Sequence, residues 1–369
     1  MIYKKTKLYQ EHLNLKGNMV PFSGFLLPTH YTTIKEEHLA VRNSAGLFDV
    51  SHMGEILIDG SESKRFLNYL STNDVNLVTD GRAQYSLLCN SKGGILDDII
   101  IYRKSLTSFM LVVNAVNKQK ILDWLNFNNH KSVVKIKDVS DKLGLLALQG
   151  PNSLLFIKKA LKIDLSNLSY YSFCSRNFEN SEIIISRTGY TGELGYEFYI
   201  DNSKIKKLWN VLLRDNKKYK LKPAGLASRD TLRIEMKYSL YGNDIDENIN
   251  PIESGLSWLV KFDKDDFIGK ESLIQAKRNP RYLSVCLIMI DRAIPRKGYK
   301  VYAGVEEIGV VTSGTISPSL QKGIAIARIK KKNYSSSAEI QISVRGAMKL
   351  AKIIKPPFYK AGTFLSDTK

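Results

Sequence analysis

The sequence predicts an α+β fold that ends in a small all-β unit. Three observations lead there. Up to about residue 280, helical and strand patterns alternate. From about Arg281 onward, six short β-rich runs recur between Gly, Ser, Asn and Lys turns, the spacing of a small antiparallel barrel or sandwich. Within the first part lies GGILDDIIIY (Gly93–Tyr102), whose apolar residues on both sides of two carboxylates describe a strand covered on both faces.

Each element has its own signal. IKEEHLAVRNSAGL (Ile34–Leu47) reads as a helix ending at Gly46. SESKRFLNYLSTND (Ser61–Asp74) opens with a Ser cap and sets Phe66, Leu67 and Leu70 on one helical face. AQYSLLCNSKGGILDDIIIY followed by SFMLVVNAV makes three strands around turns. Helices follow at VNKQKILDWLNF and GPNSLLFIKKAL, and a hairpin-like stretch at SEIIISRTGYTGELGYEFYI. Two further helices are SKIKKLWNVLLRDN and AGLASRDTLRIEMKY, and DFIGKESLIQAKRNPR is a helical bridge to the last part. There YLSVCLIMI, GYKVYAG, EEIGVVTSG, KGIAIARI, AEIQISV and AMKLAKIIK are the six strands.

Composition bounds the function. The 369 residues suffice for two or three domains, and 43% hydrophobic with 25% charged content is ordinary for a soluble protein. No apolar run approaches the length of a membrane span, and the N-terminus has no signal-peptide h-region. Cys89, Cys174 and Cys286 stand far apart, and the histidines show no HExxH spacing, so neither a metal site nor a disulfide framework is expected. The expected address is a reducing cytoplasm, or the mitochondrial matrix for a trimmed organellar form. A net charge of +19 attracts anionic partners. No nucleic-acid-binding motif accompanies it, and Lys, Asn and Ile are abundant throughout, so a specific nucleic-acid partner is not expected.

Polar chemistry gathers in four places. Asp97 and Asp98 alternate across their strand, Asp98 sharing a face with Leu96, Ile100 and Tyr102, and Asp97 with Ile95, Ile99 and Ile101. Buried carboxylates need partners, either turn amides or a basic side chain, or else a ligand in a cavity. SHMG (Ser51–Gly54) follows a strand-like stretch. GYTGELGYEFY places Tyr190 in a tight loop and Glu197 among aromatics. In ASRDTLRIE, Arg229 and Arg233 lie four apart on one helical face beside Asp230. Arg229 either clamps an anion or pairs with Asp98 or Glu197. Carboxylates paired with flat apolar walls from Met53, Tyr85 and Tyr190 suit a planar heterocycle such as a pterin. Neither GxxxxGK[ST] nor GxGxxG occurs, which disfavours nucleotide phosphates.

In these stretches the chain resembles the aminomethyltransferase (T-protein) family of the glycine cleavage system. The likeness runs in order through LPTHY, AGLFDVSHMG, YSLLCNSKGGILDDIIIY, LALQGPN, RTGYTGELGYE, AGLASRDTLRIE, LYGNDIDE, FIGKESL and VTSGTISPSL. The resemblance implies a three-lobed folate-binding fold, with a catalytic region of two intertwined α+β lobes over residues 1–275 and a C-terminal β-barrel domain over 276–369. It implies tetrahydrofolate as co-substrate in a central channel and no metal. It assigns the family's catalytic aspartate to Asp98, the pterin-binding glutamate to Glu197 and the folate-contacting arginine to Arg229. Ring contacts fall on Met53, Tyr85, Ile100, Val112, Asn114, Tyr190 and Tyr238, and Asp97 is left to structure. The family's C-terminal contact finds no clear match in KAGTFLSDTK. The implied partner is a lipoylated carrier, the H-protein, expected to be acidic and to meet a basic surface. Folate-dependent demethylases and oxidase-domain relatives share the fold. So does an iron–sulfur assembly factor, which carries a KGCYxGQE-type motif where this chain has RTGYTGELGYE.

Overall fold

The computed structural model describes residues 2–130, 133–214, 221–333 and 339–365. The end of the predicted helix at 215–216, the first residue of the AEIQISV strand and residues 366–369 lie outside these.

Two sheets form the centre. A five-stranded antiparallel sheet runs in the order Arg82–Cys89, Ile95–Ser105, Ser108–Val113, Gly54–Asp59, Lys135–Asp138. A six-stranded sheet runs Phe173–Phe178, Ser181–Ser186, Gly195–Asp201, Leu143–Gln149, Ala45–Asp49, Leu221–Pro223, with only its last pair parallel. Their facing sides share one core: Ala83, Tyr102, Met110 and Val112 from the first meet Phe48, Leu145, Ala147 and Tyr199 from the second. Helices cover the outer faces. Ser63–Leu70 and Lys118–Asn128 pack over the first sheet through Phe66, Leu67, Ile121 and Leu125. Ser153–Leu161 and Ile205–Leu213 cover the second through Phe156, Ile157, Leu208 and Trp209. The layering is therefore helix, sheet, sheet, helix, which explains why strands such as Ile95–Ser105 are apolar on both sides.

The six C-terminal strands close an antiparallel barrel, Tyr282–Met289, Lys322–Lys330, Glu306–Ser317, Lys300–Ala303, Ile340–Val344 and Ala347–Ile354 in spatial order. Closure removes the exposed edges that six short strands would otherwise present. Its outer wall packs on helix Leu226–Glu235, where Ile234 meets Cys286, Ile324 and Ile326. A three-stranded sheet of Lys4–Lys5, Phe25–Pro28 and Met19–Phe22 completes the N-terminal side.

Three sequence expectations are corrected. The helix from Ile34 stops at Asn43, and Ala45–Asp49 is a fully buried strand of the six-stranded sheet, because pairing with Leu146–Gln149 outcompetes another helical turn. Helix Ser63–Leu70 starts without a side-chain cap. Finally, the alternation along Ile95–Ser105 is broken near its start. Leu88 pairs with Asp97 but Cys89 with Ile95, so Leu96 is an extra residue. Leu96 therefore joins Ile99 and Ile101 beneath the helices rather than sharing the face of Ile100 and Tyr102.

The turn before this strand has a demanding backbone. Gly93 sits at φ 82°, and a Cβ on Gly94 would lie 1.8 Å from the Glu247 carbonyl oxygen. That closeness lets Ile95 N donate to Asp246 O at 3.1 Å and Ile249 O at 3.0 Å, tying the acid-bearing strand to the loop after Tyr241.

Candidate active site in the central cavity

A cavity of about 1150 Å³ opens at one end of the core between the two sheets. Its walls come from separate parts of the chain: both sheets, helix Leu226–Glu235, the loop through Trp258, Val20 and Phe22 of the small sheet, and Pro356, Pro357 and Phe364 of the tail. Met53, Tyr85, Asp98, Ile100, Val112, Asn114, Tyr190, Glu197, Arg229 and Tyr238 all line it. Residues spread over nearly 200 positions of sequence thus converge on one space.

Asp98 keeps part of its surface on the cavity, whereas Asp97 is fully buried behind it. The Tyr85 hydroxyl donates to Asp98 Oδ2 at 2.9 Å, and Asn114 Nδ2 donates to Asp98 Oδ1 at 2.7 Å. The same Nδ2 donates to Asp97 Oδ1 at 2.8 Å, which also accepts from Asn117 Nδ2 at 2.6 Å, while Asn114 N donates to Asp97 Oδ2 at 2.9 Å. Both carboxyls are met by neutral groups, and among the described residues no Lys or Arg forms an ion pair with either. Burial raises both pKa values, and the charge of Asp98 raises that of Asp97 further. The two titrate as a pair and hold a proton to higher pH than an ordinary carboxyl.

At another wall, Glu197 Oε2 accepts from the Thr188 hydroxyl at 2.5 Å. Burial raises its pKa, with Thr188 and the charge of Arg229 opposing. Arg229 lies with its guanidinium 4.8 Å from the Tyr190 ring centre. Its Nη1 is buried with no hydrogen-bond partner among the described residues, and burial lowers its pKa. It thus forms no ion pair with Asp98 or Glu197, in contrast to Arg233 one helical turn on. Arg233 is consumed by Asp244 at 2.7 Å, Asp230 at 2.8 Å and Ser313 of the barrel at 2.8 Å. The Tyr190 ring stacks on Tyr238 at 5.7 Å and 27°, and its hydroxyl donates to the Ser239 carbonyl. Asp98, Glu197 and Arg229 thus line an aromatic-walled space, the condition for binding a flat, polar-edged ligand.

Family models of the GCVT N-terminal domain and of the glycine cleavage T-protein C-terminal barrel domain match residues 8–264 and 284–360. The chain belongs to the glycine cleavage T-protein family. Aminomethyltransferases of Pseudothermotoga lettingae and Bacillus licheniformis are each 44% identical to it, covering 97% of this chain and 98% and 99% of theirs. The crystal structure of the glycine cleavage system aminomethyltransferase T from Bartonella henselae superposes with a TM-score of 0.92 at 31% identity, covering 98% of this chain and all of that one. The fold expected from the sequence, including the six-stranded terminal barrel, is the T-protein fold.

Several residues line this T-protein-family cavity without a local sequence pattern that marks them. His52 stands beside Met53 in the SHMG stretch but carried no ligand-type spacing. Trp258 lies 6.2 Å from the Tyr85 ring and 59% exposed, with no local pattern that marks it. Phe364 reaches the cavity from the tail that had no clear match, packing edge-on against Tyr170 at 5.5 Å. Thr363 anchors it through Glu193 at 2.6 Å. Asn114 also differs in kind from the apolar ring contacts grouped with it, since both its amide hydrogens are spent on Asp97 and Asp98. No helix among the described residues is long and apolar enough to cross a membrane.

Proposed function

We propose that this chain performs the aminomethyl transfer of a glycine cleavage system. It takes the methylene from an S-aminomethyl-dihydrolipoyl arm on a lipoylated H-protein, passes it to tetrahydrofolate, and releases ammonia to give 5,10-methylenetetrahydrofolate. One observation carries the reading: Asp98 presents a carboxyl to the cavity, fixed by Tyr85 and Asn114 and unpaired with any cation among the described residues.

The chemistry asks for such a group. As ammonia leaves S–CH2–NH3+, the carbon takes on thionium character (S=CH2+) and folate N5 attacks it. The C–S bond then breaks to leave an N5 iminium, and N10 closes the bridge, its proton going to the dihydrolipoyl thiolate. A carboxylate without a resident counter-ion stabilises that positive charge more than one already neutralised by Arg or Lys. Asp98 then holds the folate amine in line and accepts its proton. Asp97, with three N–H donors, fixes Asn114 and so the orientation of Asp98. Glu197 and Arg229 offer an acceptor and donors to the pterin edge. Tyr85, Tyr190, Tyr238, Met53, Ile100 and Val112 give flat apolar walls to its rings.

The test is transfer from aminomethylated carrier to tetrahydrofolate. Asp98→Asn is expected to retain folate binding while turnover falls by roughly 10²–10⁴, the range for a lost acid–base group. Turnover equal to the unsubstituted chain would reject the assignment.

A further inference from the structure

His52 is a polar ring without a use in the scheme above. It lines the cavity, is 6% exposed, and its ring is held edge-on by Phe22 at 5.5 Å and Phe25 at 6.3 Å. Those contacts fix the ring plane. Nδ1 is sealed away from solvent with no hydrogen-bond partner among the described residues. Nε2 is not sealed, so it is the ring nitrogen left to meet the cavity.

The chemical state of the ring follows from these contacts. Burial lowers its pKa to about 4, with the charge of Arg229 adding to that and Asp49 opposing it, so the imidazole is neutral at physiological pH. A neutral imidazole carries its proton on one nitrogen only. Sealed, unpaired N–H groups are rarer in proteins than under-satisfied acceptors, so the proton belongs on Nε2 and the bare lone pair on Nδ1. His52 therefore offers a neutral N–H donor to the cavity, in the same electrostatic neighbourhood as Arg229.

A pterin ring edge carries acceptors, its oxo oxygen and ring nitrogens, as well as the donors that a carboxylate reads. Resting on the folate reading above, we infer that His52 is a positioning residue that donates from Nε2–H to an acceptor atom of the folate heterocycle, complementing Glu197 and Arg229. A neutral donor has a specific value here. It fixes orientation without adding positive charge beside a reaction that develops a cation.

The experiment measures binding of tetrahydrofolate, or its stable 5-formyl derivative, by calorimetry with the full chain and the variants His52→Leu and His52→Gln. Side-chain ¹⁵N–¹H spectra of the histidines are recorded alongside. His52→Leu removes the donor and is expected to weaken folate affinity by about 10- to 100-fold, the scale of one buried hydrogen bond lost with its partner left unpaired. His52→Gln, which brings an N–H to nearly the same place, is expected to recover much of it. In the unsubstituted chain the His52 signal is expected as the Nε2–H tautomer and to shift when folate is added. Affinity unchanged in His52→Leu, or an Nδ1–H tautomer indifferent to folate, overturns the inference while leaving folate binding intact. An unsubstituted chain that binds no reduced folate overturns both.

Discussion

Asn114 grips Asp97 from two directions, its backbone N–H donating to Oδ2 at 2.9 Å and its side-chain amide to Oδ1 at 2.8 Å. The second hydrogen of that amide goes to Asp98, so the fully buried acid sets the position of its cavity-facing neighbour. Asp97→Ala would strand the donors of Asn114 and Asn117 in an apolar layer. Each stranded donor costs about 1–3 kcal/mol. Urea unfolding should show a loss of at least about 2 kcal/mol, with transfer activity falling as Asp98 loses its support.

Tyr85→Phe should act on the acid limb of the pH–rate profile. The Tyr85 hydroxyl favours the ionised form of Asp98. Removing it raises the pKa of Asp98, so if the carboxylate is the active form, the acid limb moves to higher pH. A hydrogen bond to a charged group is worth about 1.5–3 kcal/mol, an upper bound of roughly 10- to 100-fold on the rate lost near neutral pH.

Glu55 gives a pH-dependent stability effect. It is fully buried, neither carboxyl oxygen has a hydrogen-bond partner among the described residues, and burial raises its pKa well above the usual value. The folded state then binds more protons than the unfolded one above the ordinary carboxyl range, so this group's contribution to stability falls as pH rises. Glu55→Gln should make the protein more stable than the parent near about pH 8 and leave it nearly unchanged near about pH 4. Unfolding midpoints at the two pH values measure this directly.

Asp244 joins helix Leu226–Glu235 to the barrel. It accepts from Arg233 at 2.7 Å, Ser313 at 2.9 Å and Thr312 at 2.5 Å. Asp244→Ala leaves a buried guanidinium short of its main partner, a loss of about 3–5 kcal/mol for a broken buried pair. Thermal unfolding should show a large drop in midpoint. Folate affinity should fall too, since Arg233 and Asp244 brace the loop that carries Tyr238.

Carrier association should depend on salt. The proposed acidic carrier would be drawn to the chain's net charge of +19 through a field that counter-ions screen over about 10 Å at 0.1 M ionic strength. The association rate measured by stopped flow is expected to fall steeply between low and physiological salt. A rate insensitive to ionic strength would remove the charge-steering idea.

The sequence alone determined most of the helices and the six terminal strands, because those follow from local periodicity. The six terminal runs between turns had to be short strands, and two carboxylates in an apolar run had to be covered on both faces. The ordered motifs also named residues that converge on one cavity, since each motif is a local backbone feature carrying its side chain with it. Only tertiary structure decided what depends on distant partners. Ala45–Asp49 became a strand by pairing with a segment a hundred residues away, and one extra residue at Leu96 turned the alternation over. Arg229 and Arg233 are alike in sequence, yet Asp244 and Ser313 occupy the second, while Nη1 of the first has no hydrogen-bond partner among the described residues. His52, Trp258 and Phe364 reach the cavity through packing between lobes, which no local pattern encodes.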